Sequence, residues 1–401
     1  MGPILGGSPL RRTSIAEIDN IALGFSLPQM SAEQRLVERF TRLCEIPSIT
    51  GDERAVADAV GAELAELGIE FSEDGAAAEA RAGAGNLIAR IPGGDGAEDW
   101  VAFFAHLDTV PHDEPIRVID DGGVLRSAGA TILGADNKAA VTVLVELGAA
   151  LVAEPGPVGV ELVFTVAEEQ GLRGAAALDP AGLRSELGFV LDHASPIGEL
   201  ITAAPTYKRI SAEFRGIEAH AGLKPEAGRS AIEAATHAVA TMDLGRLDDE
   251  TTANVGVIEG GTAPNVVAGS CRLQAEARSI DAGRAEQVAQ RMIDACSWAA
   301  GEAGVDVDLL VETYFRGYRI KPSSRPLAIA RAALERGGIE PVERATGGGS
   351  DANALRAAGF DALLLANGTE ANHTPEESVA VSELIRMLDV CAAIVAAADP
   401  G

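Results

Sequence analysis

Short, nearly uninterrupted apolar runs, spaced by helical patterns, constrain this chain most. "NLIARI" (86–91), "VAFFAH" (101–106), "VELVFTV" (160–166), "FVLD" (189–192) and "ALLLA" (362–366) have the length and branched-residue content of strands buried on both faces. Helical patterns fall before and between them. Ser31 and Gln34 form a capping box ahead of Leu36, Val37, Phe40 and Leu43, and Val56, Val60 and Leu64 share a second helical face that stops near Gly68. Further helices are predicted over about 137–153 and 325–337, with a closing helix from near Ser378. Strands alternating with helices predict a three-layer α/β domain around a largely parallel sheet.

The rhythm changes after Pro205. "YKRISAEFRG" and "GSCRLQAEARS" alternate strictly, helices are predicted near 229–243 and 281–300, and "VDVDLLVETY" adds a strand. This β-α-β-α-β series reads as a two-layer α+β domain inserted into the first. At 401 residues the chain is long enough for two cores. The predicted division is 31–204 with 319–401 as one discontinuous domain and 205–318 as the insertion. Residues 1–30 read as a flexible N-terminal extension: Arg11, Arg12, Glu17 and Asp19 interrupt any signal-peptide core.

A formal net charge of −28 argues against a nucleic-acid partner or an anionic membrane, either of which needs a basic face. No apolar stretch approaches the ~20 residues of a membrane span. Cys44, Cys271, Cys296 and Cys391 are scattered without a CxxC pair, which suits reduced thiols and a cytoplasmic location.

Polar residues gather where the apolar runs end. His106 and Asp108 close "VAFFAHLD", Asp136 precedes a helix in "TILGADNKAA", Glu168 and Glu169 follow "VELVFTVA", Asp192 ends "FVLD", and His373 lies in "NGTEANHTPEES". In open α/β sheets ligands bind beyond the carboxyl ends of the strands. Two histidines and several carboxylates collected there suit a first-row metal site, and so many acids leave room for two ions sharing one carboxylate. Taken singly, an acid at a strand end is more often a helix cap or a solvated loop residue; it is the joint pattern that points to a metal site.

The stretches "AHLDTVP", "LGADNKAA", "FTVAEEQGLRGA", "VLD" and "NHTPEES" resemble, in order, the motifs of the M20 metallopeptidase family. "TAAPTYKRI", "LGRLDDETTANVG" and "GGGSDANAL" are similar to its peptidase T-like branch, and the resemblance spans about 31–398. It implies a zinc-exopeptidase-like catalytic domain carrying an inserted lid and dimerisation domain, in a homodimer. It also implies two divalent ions per chain: zinc first, with cobalt or manganese as alternatives. Asp136 would bridge them, with His106 and Asp192 completing one site and Glu169 and His373 the other. Asp108 would accept a hydrogen bond from the His106 ring, and Glu168 would serve as general base. His220 would stabilise the oxyanion, often in the neighbouring subunit. Asn265, Arg278, Gly348 and Ser350 would hold substrate, with Arg278 gripping a carboxylate. Asn137 stands where the branch usually has a second Asp, and His193 where small residues are commoner; His193 is expected to face solvent.

The function so implied is hydrolysis of short peptides by an exopeptidase, an aminotripeptidase among the options. The alternatives are an amidohydrolase acting on N-acyl amino acids or carbamoyl compounds, and a binding protein that has lost catalysis.

Overall fold

Alternate residues of the strand Trp100–His106 point to opposite faces of a nine-stranded sheet, and both faces are buried. Val101, Phe103 and Ala105 pack into a large core with residues of the helices Ala32–Cys44, Arg54–Glu66, Ala135–Ala153, Arg325–Arg336 and Val381–Ala397. Ala102 and Phe104 face the other way, into a smaller cluster closed by Leu178, Ala352, Leu355 and Phe360. The result is helix, sheet, helix. The computed structural model describes residues 30–399, so the predicted N-terminal extension lies outside the described residues except for Met30.

Four neighbouring strands in the centre run parallel: Gly159–Thr165, Trp100–His106, Leu187–His193 and Asp361–Ala366. Their carboxyl ends lie along one edge of the sheet. The flanks differ from the sequence expectation. Leu87–Ile91 pairs antiparallel with Gly159–Thr165, and Glu199–Ala204 pairs antiparallel with Asp361–Ala366. The link 194–198 is too short for the crossover that would bring Glu199–Ala204 back parallel to the strand before it. The sheet is therefore mixed, with a parallel centre.

Between Glu199–Ala204 and its antiparallel neighbour Tyr318–Arg319, the chain builds a second sheet of five antiparallel strands. Their order is Gly245–Asp248, Thr251–Gly260, Ser270–Ser279, Thr206–Arg215 and Asp306–Phe315. The helices Ala231–Thr241 and Ala282–Ala303 cover one face, where Ile210, Phe214 and Leu273 pack with Ala234, Ala238, Val288, Met292 and Cys296. Tyr207 and Arg209, of opposite parity to Ile210, belong to the other face. The hairpin Gly245–Asp248/Thr251–Gly260 has no counterpart in the sequence reading. Its charged turn "LDDET" and its mostly exposed residues beyond Ala253 give no alternation to detect.

The last helix begins at Val381, because Ser378–Ala380 is taken up in a four-stranded sheet, paired with Val124–Ser127. The four cysteines are buried thiols. Among the described residues no helix is long and apolar enough to cross a membrane.

Candidate active site

Asp136 stands between two histidines. Its Oδ1 lies 3.1 Å from His106 Nε2 and its Oδ2 lies 3.1 Å from His373 Nε2. Asp192 Oδ1 approaches His106 Nε2 at 3.4 Å, and Glu169 Oε1 approaches His373 Nε2 at 3.0 Å. Three groups of potential ligands result, within each of which one donor atom per residue lies inside 4.8 Å of the others: His106–Asp136–Asp192, Asp136–Glu169–His373 and His106–Glu168–Glu169. The first two share Asp136, one oxygen on each side.

The backbone at each position explains the convergence. His106 and Asp192 sit at the carboxyl ends of adjacent parallel strands. After Thr165 the strand breaks, and Ala167 adopts a left-handed conformation (φ 50°). That break ends the two-residue alternation, so the neighbours Glu168 and Glu169 both line one cavity. His373 is also left-handed (φ 66°), in the loop after Asp361–Ala366. Strained positions of this kind cost roughly 1–3 kcal/mol each and persist where the surroundings hold them.

Asp136 is held from behind. The Glu377 carboxylate accepts backbone N–H bonds from Leu133 (2.8 Å), Gly134 (2.8 Å) and Asp136 (2.9 Å). The fully buried Lys138 donates to Ser48 Oγ (2.7 Å) and to the Leu107 carbonyl (2.6 Å), tying this loop to the end of the His106 strand. Asn372 donates to Asp136 Oδ2 at 2.9 Å.

Among the described residues no lysine or arginine comes within ion-pair distance of Asp136, Glu168, Glu169 or Asp192. The cluster therefore carries its charge poorly. Burial pushes the Asp192 carboxyl up to about 8 against the pull of His106, and burial followed by repulsion from Asp192 holds Glu168 well above the usual range. Hydrogen bonds to Asp136 and Glu169 push His373 up to about 10. Asp136 keeps its charge despite burial, because His106 and His373 both donate to it. An acidic, nitrogen- and oxygen-rich cluster with no lysine or arginine at ion-pair distance among the described residues, and with one carboxylate between its two histidines, fits a pair of divalent cations.

One consequence is measurable. Near pH 7 the metal-free cluster carries protons on His106, on His373 and on most of the Asp192 population, and a cation must displace them. Metal uptake is expected to release protons, and affinity is expected to rise with pH from about 7 to 10. Calorimetric titration in two buffers of different ionisation enthalpy reads the release directly; identical heats in both would contradict it.

A family model described as "Peptidase dimerisation domain" matches residues 205–303, and one described as "Peptidase family M28" matches 86–220. The chain is 36% identical to the uncharacterised protein YqjE of Bacillus subtilis, over 91% of this chain and 99% of that one. It is 30% identical to the acetylornithine deacetylase of Myxococcus xanthus, over 78% and 83%. Among solved structures, aminopeptidase PepT from Bacillus cereus superposes with a TM-score of 0.82 at 37% identity, covering 91% of this chain and 98% of that one. A tripeptidase from Staphylococcus aureus superposes at 0.86 with 32% identity, covering 92% and 99%. The chain belongs to the M20 family of metallopeptidases, in its peptidase T-like branch.

As an M20 protein it is an enzyme that hydrolyses amide bonds. Several residue placements differ from the family-based expectation. The His106 ring meets the backbone carbonyl of Asp108 at 3.0 Å, while the carboxylate stands 3.5 Å from the same nitrogen. That carboxylate is otherwise engaged: it accepts from Thr50 Oγ1 (2.7 Å) and from the backbone N–H of Glu168 (2.9 Å) and Glu169 (3.2 Å). Asp108 thus fixes the Glu-Glu turn as well as the histidine. Asn137 is buried and donates to the Leu191 carbonyl (2.8 Å) and to Asp192 Oδ1 (3.1 Å). An aspartate there would offer no such donor. His193 is half-buried rather than solvent-facing, and burial lowers its basicity.

Ser350 does not reach the substrate space. Its side chain is buried and caps the helix Asp351–Ala357, in a capping box with Asn353. Gly348 and Gly349 line the cavity, and a Cβ on Gly349 would overlap the ring of Phe315. Arg278 lines it too, but its fork is already bound to Glu276, with Nε–Oε1 at 3.1 Å and Nη2–Oε2 at 2.9 Å. His220 and Asn265 are exposed and do not line the cavity of their own chain.

Glu377, Thr50 and Asp351 were not identified from sequence. Glu377 lies inside the quoted "NHTPEES". The missing clue was the loop before Asp136, whose buried N–H groups need an acceptor. Asp351, buried and bonded to Thr165, is pushed up to about 6 by burial; in "GGGSDAN" it looks like an ordinary helix-start acid.

Proposed function

We propose that this chain is a di-metal exopeptidase cleaving short peptides. His106, Asp136 and Asp192 hold one divalent ion, Asp136, Glu169 and His373 the other, and Glu168 is the general base. The observation that carries this reading is Asp136 presenting one oxygen to each histidine, with His373, Glu169 and Glu168 lining a cavity of about 660 Å³. That size lies within the ~300–1,000 Å³ range of small-ligand clefts. Zinc is the ion best suited to this donor set, with cobalt and manganese next. When bound, the ions supply Lewis acidity that acidifies a water and polarises the scissile carbonyl.

The chain's own residues do the rest. Asp108 anchors the backbone N–H groups of Glu168 and Glu169, so both side chains enter the site from a fixed turn. The Glu168 carboxylate takes a proton as the water oxygen bonds to the carbonyl carbon. It returns that proton to the leaving nitrogen as the C–N bond breaks, giving an acid and an amine. Burial raises the basicity of Glu168, which suits a base that must also act as an acid.

The same reading takes 205–318 as an inserted lid and dimerisation unit, with 31–204 and 319–401 as the catalytic part, and places the enzyme in the cytoplasm as a homodimer. The dimerisation-domain match over 205–303 supports the dimer. His220, exposed on its own chain, is then assigned to oxyanion stabilisation in the neighbouring subunit, and Asn265 to substrate contact there.

A second reading, hydrolysis of N-acyl amino acids or carbamoyl compounds, is favoured by the similarity to an acetylornithine deacetylase. A panel of dipeptides, tripeptides and N-acetyl amino acids separates the two. Peptides are expected to turn over; acyl substrates cleaved with no peptide touched would replace the first reading with the second.

A further inference from the structure

The inserted sheet sends two consecutive aromatics into the cavity. Along its edge strand Asp306–Phe315, Glu312 opposes Arg209 and Thr313 opposes Lys208, but Phe315 opposes Tyr207. Tyr314 is therefore an extra residue, with no partner on Thr206–Arg215. Regular alternation would turn neighbouring side chains to opposite faces. The bulge cancels it, and Tyr314 and Phe315 both line the cavity with Glu168, Glu169 and His373. Bulges beside active sites re-aim side chains in this way.

The two rings rest on different loops. Phe315 is pressed onto Gly349 of the glycine-rich loop. Tyr314 lies over the turn that carries Glu168 and Glu169: a Cβ on Gly171 would meet its hydroxyl-bearing carbon first, at 2.8 Å. Gly171 belongs to that turn, its N–H donating to the Glu168 carbonyl at 3.0 Å. Tyr207 packs edge-on against both rings, with centroids 5.0 Å and 5.4 Å away. This packing needs a ring at 314, as at 315, but no hydroxyl.

The Tyr207 phenol has Glu276 as a hydrogen-bond partner. Tyr314 is half-buried, yet among the described residues nothing hydrogen-bonds its hydroxyl; burial and the charges of Arg209, Arg173, Glu168 and Glu312 are what act on it. Burial raises its pKa, so the O–H stays available as a donor. A tyrosine in such surroundings normally has its O–H paired. We propose that Tyr314 is a further catalytic residue, whose hydroxyl donates a hydrogen bond to the scissile carbonyl oxygen as that oxygen gains charge. The inference rests on the hydrolase reading above. It places an oxyanion donor on the same chain as the candidate ligands, whereas His220 is assigned from a neighbouring subunit. A donor aimed at developing charge acts on the transition state more than on the neutral amide, so its effect belongs in kcat.

The test compares metal-loaded wild type with Tyr314→Phe, using a tripeptide and its phosphinic analogue, whose tetrahedral oxyanion mimics the water adduct. The variant keeps the ring. Its kcat is expected to fall by about 100-fold, the lower end for loss of one oxyanion donor, with KM little changed. Phosphinate affinity should weaken by a similar factor, while metal content and thermal midpoint stay at wild-type values. Wild-type kcat in the variant overturns the assignment, as does a loss confined to KM or a kcat loss with phosphinate binding intact. A lowered midpoint or metal content also overturns it, by making the hydroxyl structural. If wild type leaves the tripeptide intact and cleaves an N-acetyl amino acid, the peptide reading fails separately. Tyr314 is then decided by the kcat and KM of the same two proteins on that amide.

Discussion

Glu168→Ala is expected to lower kcat for peptide hydrolysis by roughly 10²–10⁴-fold, the usual contribution of a positioned general base, while leaving metal content near that of wild type. The second half of this expectation carries the discrimination. Glu168, Glu169 and His106 also form a possible ligand group, so geometry alone allows Glu168 to be a ligand. Glu169 approaches His373 at 3.0 Å and so shares a site with Asp136, whereas Glu168 makes no ion pair within the cluster. The base assignment therefore predicts that the two neighbours separate in a metal assay. Glu169→Ala should lose metal and Glu168→Ala should not. Equal metal loss in both would make Glu168 a ligand, and full activity in Glu168→Ala would remove it from the chemistry.

Asp136→Ala should be the most damaging change to metal binding. His106→Ala and His373→Ala each delete a donor from one group, but Asp136 faces both, through separate oxygens. Its loss also frees His373 from the carboxylate that does most to hold it charged in the metal-free protein, while His106 keeps Asp192 and Asp108. Elemental analysis of the three variants after equal zinc exposure is expected to show least metal in Asp136→Ala. Equal retention in all three would reject a shared carboxylate. Folding is checked independently by the denaturation midpoint, since Glu377 and Lys138 anchor this loop without help from the Asp136 side chain.

These positions were readable from sequence because strand ends are. The apolar runs are long enough to mark where each parallel strand stops, and the polar residues that follow land on one edge whatever the loops do between them. Role assignment came from resemblance, not from spacing, which left the same acids open as caps. What escaped is what depends on loop geometry. Nothing in "HTPEES" marks Glu377 as the acceptor for three N–H groups 241 to 244 residues away. The resemblance implies a substrate contact at Ser350, yet its hydroxyl caps a helix. Arg278 and Arg209 are equivalent in pattern, two arginines on alternating strands. Only the packed sheet shows which of them Glu276 has already taken.

The hairpin Gly245–Asp248/Thr251–Gly260 was missed for a related reason. Only Thr251 and Ala253 are buried along Thr251–Gly260, so the strand is defined by backbone pairing to Ser270–Ser279 and not by an apolar face. Burial writes itself into a sequence; edge pairing does so weakly.

The most direct test of the central claim is metal content per chain, measured on the same sample as tripeptide hydrolysis before chelation, after it, and after zinc is restored. The account predicts close to two ions per chain, with activity lost on chelation and recovered with zinc. No metal after zinc exposure, or peptide hydrolysis that persists undiminished in the stripped protein, would contradict it.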